Sequence, residues 1–185
     1  FFVDEARSWF ARTTDRFDTI QMSMVDTWAA TGAGGFSLSE NGLYTVEAWT
    51  HFLNALTPTG VLTVSRWYAP DNVNETGRVV SLALGALYRL NVPNPRDHIF
   101  LVGQGWLSTI VVSRNPLTAA DVAKLVQTSN EYEHAILISP DRQPASALLA
   151  DLTAAKSVPD LENRAAAYAL DLTPPTDARP FFFNQ

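Results

Sequence analysis

Ser23 and Asp26 stand three residues apart in "FDTIQMSMVDT", where an apolar, strand-like run gives way to a loop. A carboxylate at such a point can take a proton from a substrate or hold a cationic one. A serine hydroxyl can hold a water or a substrate atom, but unaided it is no base, because its own pKa is far too high. Each has a plainer use: Asp26 can cap the turn "TWAA", and Ser23 can be a small residue tolerated under a loop. A second acidic pair, Asp4 and Glu5, precedes "ARSWFAR", where Asp4 fits a helix N-cap. Tyr44 starts a helical pattern, where packing is the simpler role, and Trp28 and Phe36 either wall a pocket or join the core. Arg66 and Trp67 close an apolar run, framing a substrate mouth or covering a sheet edge.

Other chemistry is narrowly bounded. The chain has no cysteine, which excludes disulfides, thiolate catalysis and cysteine-bound metals. His51, His98 and His134 are far apart in sequence and lack metal-ligand spacing, so no metal is expected. "GQG" at 103–105 joins two strand patterns and opens no helix, which argues against a phosphate loop. A net charge of -6, with no Lys/Arg-rich run, argues against nucleic acid and suits a small cationic amine. No apolar run is long enough to cross a membrane and no signal peptide is evident, so a cytoplasmic location is expected.

The elements that must position these residues follow from periodicity. "FFV" reads as the end of a buried strand and Ala6 to Thr13 as a short helix with Trp9 and Phe10 inward. "FDTIQMSM" is a strand, and the Gly/Ser/Thr/Ala-rich stretch after it is a long loop. "LYTVEAWTHFLNAL" is an amphipathic helix that Thr57-Pro58-Thr59-Gly60 should end. "VLTVSRWY" is a strand, "TGRVVSLALGALYRLN" a helix, and "HIFLVGQGWLSTIVVS" a hairpin. A helix capped by Thr118, a short strand "EHAILISP" and mostly helical sequence follow, before the extended "TPPTDARPFFFNQ". The class is α/β with a mainly parallel sheet, residues 1–140 forming the domain and 141–185 a helical and extended addition. Ligands of such sheets bind at the carboxyl ends of the strands, here near Asp4 and Glu5, Ser23 to Thr27, and Arg66 to Tyr68.

In order, "DEARSWF", "FDTIQMSMVDT", "LYTVEAW" and "LTPTGVLTVSRW" resemble the carboxyl-terminal portion of a spermidine synthase-like domain, on the class I S-adenosylmethionine-dependent methyltransferase fold. The resemblance is collinear over about residues 1 to 70. The closing "TDARPFFFNQ" is similar to the juncture after this domain in large bacterial relatives, some of which carry membrane helices. The resemblance implies a Rossmann-like, mostly parallel sheet ending in an antiparallel hairpin. It implies an adenosyl sulfonium donor, S-adenosylmethionine or its decarboxylated form. Catalysis would fall to the positions of Asp26 and Ser23, donor contacts to Asp4, Glu5, Ala6 and Ser23, and acceptor contacts to Asp26, Thr27 and Tyr44.

Two departures qualify that expectation. The family's front half, with its glycine-rich loop and ribose-binding acid, is not found, and the glycines at 32, 34 and 35 do not follow a strand as that loop requires. At the strand end, Ser23 stands where the family has its base. The expectation is therefore an impaired aminopropyl or methyl transferase. The alternative is a non-catalytic domain used for binding or assembly. A strand at 17–24 without its neighbour should expose backbone groups and apolar side chains on both faces, so another polypeptide or self-association is expected to complete the sheet.

Overall fold

The computed structural model describes residues 3–25, 41–71 and 73–182. Helix α1 (Ala6–Arg12) sets Phe10 against Phe17 and Phe52. Its cap is Glu5, not Asp4: Glu5 Oε1 accepts from Arg7 N at 3.0 Å and Oε2 from Ser8 N at 2.7 Å. Asp4 is occupied elsewhere, with one oxygen on Glu5 N and the other on Arg12. Phe1 and Phe2 lie outside the described residues, and Val3 is fully exposed and belongs to no strand.

Strand β1 (Phe17–Ser23) alternates, with Ile20 and Met22 inward and Thr19, Gln21 and Ser23 outward. Helix α2 (Val46–Asn54) starts at Thr45, whose Oγ1 accepts from Ala48 N at 3.2 Å, and buries Trp49, Phe52 and Leu53 on one stripe. The turn expected at Thr57 to Gly60 does not form; the chain runs directly into β2 (Leu56–Trp67). Pairing decides this. Phe17 N donates to Ala55 O at 2.9 Å and Phe17 pairs with Leu56, after which the register slips to match Thr19 with Val61. Gly60 permits the close approach, since a Cβ there would lie 2.7 Å from the Phe17 carbonyl oxygen.

Helix α3 (Asn74–Arg89) is buried without a break from Thr76 to Leu87, because the sheet, α2 and later helices surround it. After a 3-10 turn (Pro95–His98), β3 (Ile99–Gln104) and β4 (Leu107–Ser113) form the expected hairpin, with Gly105 at φ 56° in the turn. Helix α4 (Ala119–Glu131) carries a capping box between Thr118 and Asp121. Strand β5 (Ala135–Ile138), α5 (Ala147–Thr153) and α6 (Val158–Ala165) complete the order.

The five strands form one sheet, β1-β2-β4-β3-β5. This is a Rossmann-like α/β fold of the methyltransferase type. The parallel character expected of it is confined, among the described strands, to the β1–β2 pair. The reason is the hairpin: β4 returns to lie between β2 and β3 and so runs against both, and β5 adds antiparallel outside β3. Helices α2, α3, α5 and α6 share one core with Ile20, Leu62, Val64, Ile110 and Leu101. Leu149, Leu161 and Phe182 belong to that same core, so segment 141–182 packs onto the first 140 residues. Phe100, alternating away from Ile99 and Leu101, and Val122 of α4 lie outside it, which sets α4 across the opposite face.

Candidate functional site

At the carboxyl ends of β1 and β2, Ser23 pairs with Ser65 across the two strands and its side chain is exposed. Met24 follows in the left-handed region, φ 51°, with its N–H donated to Ser65 O at 3.1 Å. That conformation is costly for a non-glycine residue and turns the chain out of the sheet. The Tyr44 hydroxyl donates to Val25 O at 3.2 Å and fixes where the next segment begins. Asp26, Thr27, Trp28 and Phe36 lie outside the described residues.

Behind this strand end is a buried cationic cluster. Alternation along β2 turns Leu62, Val64 and Arg66 inward, so Arg66, expected at a substrate mouth or over a sheet edge, is only 2% exposed. Arg66 Nε donates to Glu75 Oε1 at 2.7 Å. Its guanidinium lies 5.4 Å from the Tyr44 ring centroid and 5.9 Å from that of Phe182. The two rings stack at 4.7 Å and 26°. A desolvated guanidinium needs a counter-ion and donor partners, and the aromatic faces supply further attraction. Tyr44 is fully buried with its hydroxyl used, so it holds the Val25 backbone and Arg66 instead of offering a phenol to solvent. Trp67, next along β2, is half exposed.

The segment from Asp171 to Phe182 straps this cluster. Val46 N donates to Pro175 O at 2.9 Å and Asn41 N to Pro180 O at 2.8 Å. Asp177 accepts from Thr45 Oγ1 at 2.8 Å and pairs with Arg7, and its backbone N donates to Glu47 Oε2. Burial pushes the Asp177 carboxyl up, but hydrogen bonds from Arg7 and Thr45 outweigh it and hold the pKa below the ordinary value. Through Arg7 the start of α1, with Asp4, Glu5 and Ala6, is tied to the start of α2. The Glu5 carboxyl is also lowered, chiefly by hydrogen bonding from Ser8. No hydrogen bond joins Asp4 or Glu5 to Ser23 among the described residues. Sequence reasoning missed Glu75, Asp177 and Phe182. The inward parity of Arg66 was the available signal, since a buried arginine must have an acid nearby.

The remaining candidates have structural places. Of "GQG", Gly103 and Gln104 end β3 and only Gly105 enters the hairpin turn, and Gly103 faces the Tyr68 ring so closely that a Cβ would lie 2.8 Å from it. His134 Nε2 lies 3.1 Å from Gln104 Oε1, and His98 Nδ1 3.2 Å from Ser113 O. Among the described residues no cluster of acids and histidines could hold a metal, and no helix is long and apolar enough to cross a membrane.

No protein-family model and no curated protein matches the sequence. Among solved structures, the chain is similar to the crystal structure of a probable spermidine synthase from Corynebacterium glutamicum ATCC 13032, with a TM-score of 0.53 and 10% identity. The match covers 84% of this chain and 52% of that one, so this chain spans about half the length of its structural neighbour. At this identity the likeness defines the fold: spermidine synthase-like in architecture.

Proposed function

We propose that the chain forms one side of a transferase site that takes an adenosyl sulfonium donor. The carrying observation is the end of β1: exposed Ser23 and left-handed Met24, backed by the Arg66–Glu75 pair, on a spermidine synthase-like sheet. Open α/β sheets bind ligands at that end. The exposed carboxylates at the start of α1 suit a donor's adenine amine, with Glu5 acting from its capping position.

In aminopropyl transfer an amine attacks the carbon beside the sulfonium. A C–N bond forms, the C–S bond breaks and methylthioadenosine leaves. The amine is protonated at neutral pH, with a pKa of about 10 by analogy with lysine, so a group must take its proton. Ser23 cannot, which makes this version weak in aminopropyl transfer. Methyl transfer depends mainly on aligning donor and acceptor and tolerates the serine better.

Strand β1 is the outer strand of the described sheet and pairs only with β2. Its outward face is polar, Thr19, Gln21 and Ser23, which corrects the expectation of apolar side chains on both faces. The occupant proposed for that edge is a polypeptide that extends the sheet, in keeping with a neighbour of which the match covers 52%. The second reading, a non-catalytic assembly domain, is favoured by the glycine-rich loop that the sequence does not show and by Ser23 in place of a base.

Titration calorimetry of the 185-residue chain with S-adenosylmethionine, its decarboxylated form and methylthioadenosine tests the proposal. The isolated chain is expected to bind none of them. A complex that completes the sheet should bind methylthioadenosine, and a completed sheet with no affinity for any of the three favours the assembly reading. Micromolar binding by the isolated chain would show that it forms the donor site by itself.

A further inference from the structure

At the opposite end of the sheet, where β1 and β2 begin and β4 ends, a cleft of about 870 Å³ opens. Its walls come from the first residues of β2, the turn after α3, the 3-10 turn Pro95–His98 and the segment following β4, with Arg16 closing the β1 side. The transferase reading gives this cleft no task.

Charge singles it out. The protein carries a net charge of -6, yet among the described residues every arginine except three stands against a carboxylate. The exceptions are Arg16, Arg96 and Arg114. Arg16 and Arg114 line this cleft, and Arg96 lines the adjoining one of about 380 Å³ together with Lys156. Arg16 Nη1 donates to Thr14 O at 3.0 Å and Asp15 O at 2.9 Å, which steadies the guanidinium without neutralising it. Arg114 is anchored by its backbone, N to Gly60 O at 2.9 Å, and its side chain makes no hydrogen bond among the described residues. Asp97 is the one carboxylate among the lining residues, so the cleft is net positive. Guanidiniums left without carboxylates on a concave surface, in a protein rich in acids, are suited to a phosphate or carboxylate.

His98 adds a different function. It is 5% exposed, and its Nδ1 lies 3.2 Å from Ser113 O. A carbonyl only accepts, so Nδ1 carries the hydrogen and Nε2 is left as an acceptor. Burial lowers the pKa of His98, which keeps the ring neutral. A neutral acceptor recognises a hydroxyl and has nothing to offer an anionic oxygen. Asn54, Asn91, Asn94 and Asn115 supply amides around it.

We propose that this cleft binds a small phosphate monoester that also carries a free hydroxyl, its phosphate on Arg16 and Arg114 and its hydroxyl on the His98 side. Calorimetric titration of the 185-residue chain at low ionic strength, with glucose 6-phosphate, inorganic phosphate and glucose as probes, tests it. Glucose 6-phosphate should bind most tightly, inorganic phosphate more weakly and glucose not at all. Combining Arg16→Ala with Arg114→Ala should weaken glucose 6-phosphate by about ten-fold or more, the loss of charge-assisted hydrogen bonds. Arg179→Ala, removing an exposed arginine already paired with Asp171, should leave it unchanged. Circular dichroism checks that the double variant is folded, and amide shifts at Arg114 and Asn115 on adding inorganic phosphate locate binding independently of any variant. No binding of glucose 6-phosphate at millimolar concentration, equal affinity for inorganic phosphate, or equal binding by the folded double variant would each overturn the proposal.

Discussion

The two ends of the sheet use arginine in opposite ways. At the carboxyl end Arg66 is buried against Glu75, Tyr44 and Phe182, and Arg7 is tied to Asp177. Those charges are consumed in holding α1, α2, β2 and the strap together. At the amino end Arg16 and Arg114 face an open cleft with no carboxylate bound to them. A charge neutralised within the fold positions a site, whereas one left over is available to a ligand. The carboxyl end therefore reads as a scaffold, and the amino end as a surface prepared for an anion.

The largest expected effect tests the scaffold. Phe182 is fully buried on Tyr44, and Phe182→Ala should cost about 3–5 kcal/mol in urea denaturation. A loss below about 1 kcal/mol would mean the strap is not part of the core, and the contrast between the ends would weaken. Ser23→Asp should raise aminopropyl transfer by about 10²-fold in a complex that binds donor, near 2.7 kcal/mol in barrier height. Because Ser23 is exposed, the urea midpoint should barely move. No gain in a folded, donor-binding variant means the strand end is not where the base belongs.

Arg66→Met should cost about 2 kcal/mol, below the figure for a fully buried pair, because Glu75 keeps some contact with water. Restoring stability with Glu75→Gln in the same chain would identify the uncompensated carboxylate as the cause.

The smallest effects separate the ends by pH. His98 has a folded pKa lowered by burial from 6.5, so the unfolded chain binds more protons below about that pH. Stability should fall as pH drops below 6.5 toward the folded value, and His98→Asn should remove that dependence between pH 7.5 and 5.5. Glu5 has a folded pKa lowered from 4.5, so its contribution is complete above that value and is lost as pH falls through the folded one. Carbon-13 titration of the Glu5 carboxyl should show a midpoint under 4.5, moving upward in Ser8→Ala. A midpoint at the ordinary value would mean that the α1 cap contributes nothing to the carboxyl end.

Much of the architecture was legible because it is written locally. The strand at "FDTIQMSM", the 3.6-residue stripe Trp49, Phe52 and Leu53, the N-cap at Thr118 and the "GQG" hairpin each depend on neighbours in sequence. Errors came where distant partners decided. Asp4 looked the better cap until Arg12 took its carboxylate, and Thr57 to Gly60 looked like a turn until Phe17 paired with Leu56. The site shows the same division: Ser23 was placed at a strand end, but Arg66 was expected at a mouth or over a sheet edge and lies in the core.

The sequence by itself determined the α/β class, most elements, the absence of cysteine chemistry and the serine at the end of β1, because composition and periodicity are properties of the chain alone. Only the tertiary structure decided which charges are spent. Arg16 and Arg66 look alike in a list of residues, and nothing local says that Glu75 and Phe182 will close over one while the other stays beside an open cleft. Ion pairing and burial depend on groups brought together from far along the chain, and folding alone creates those distances.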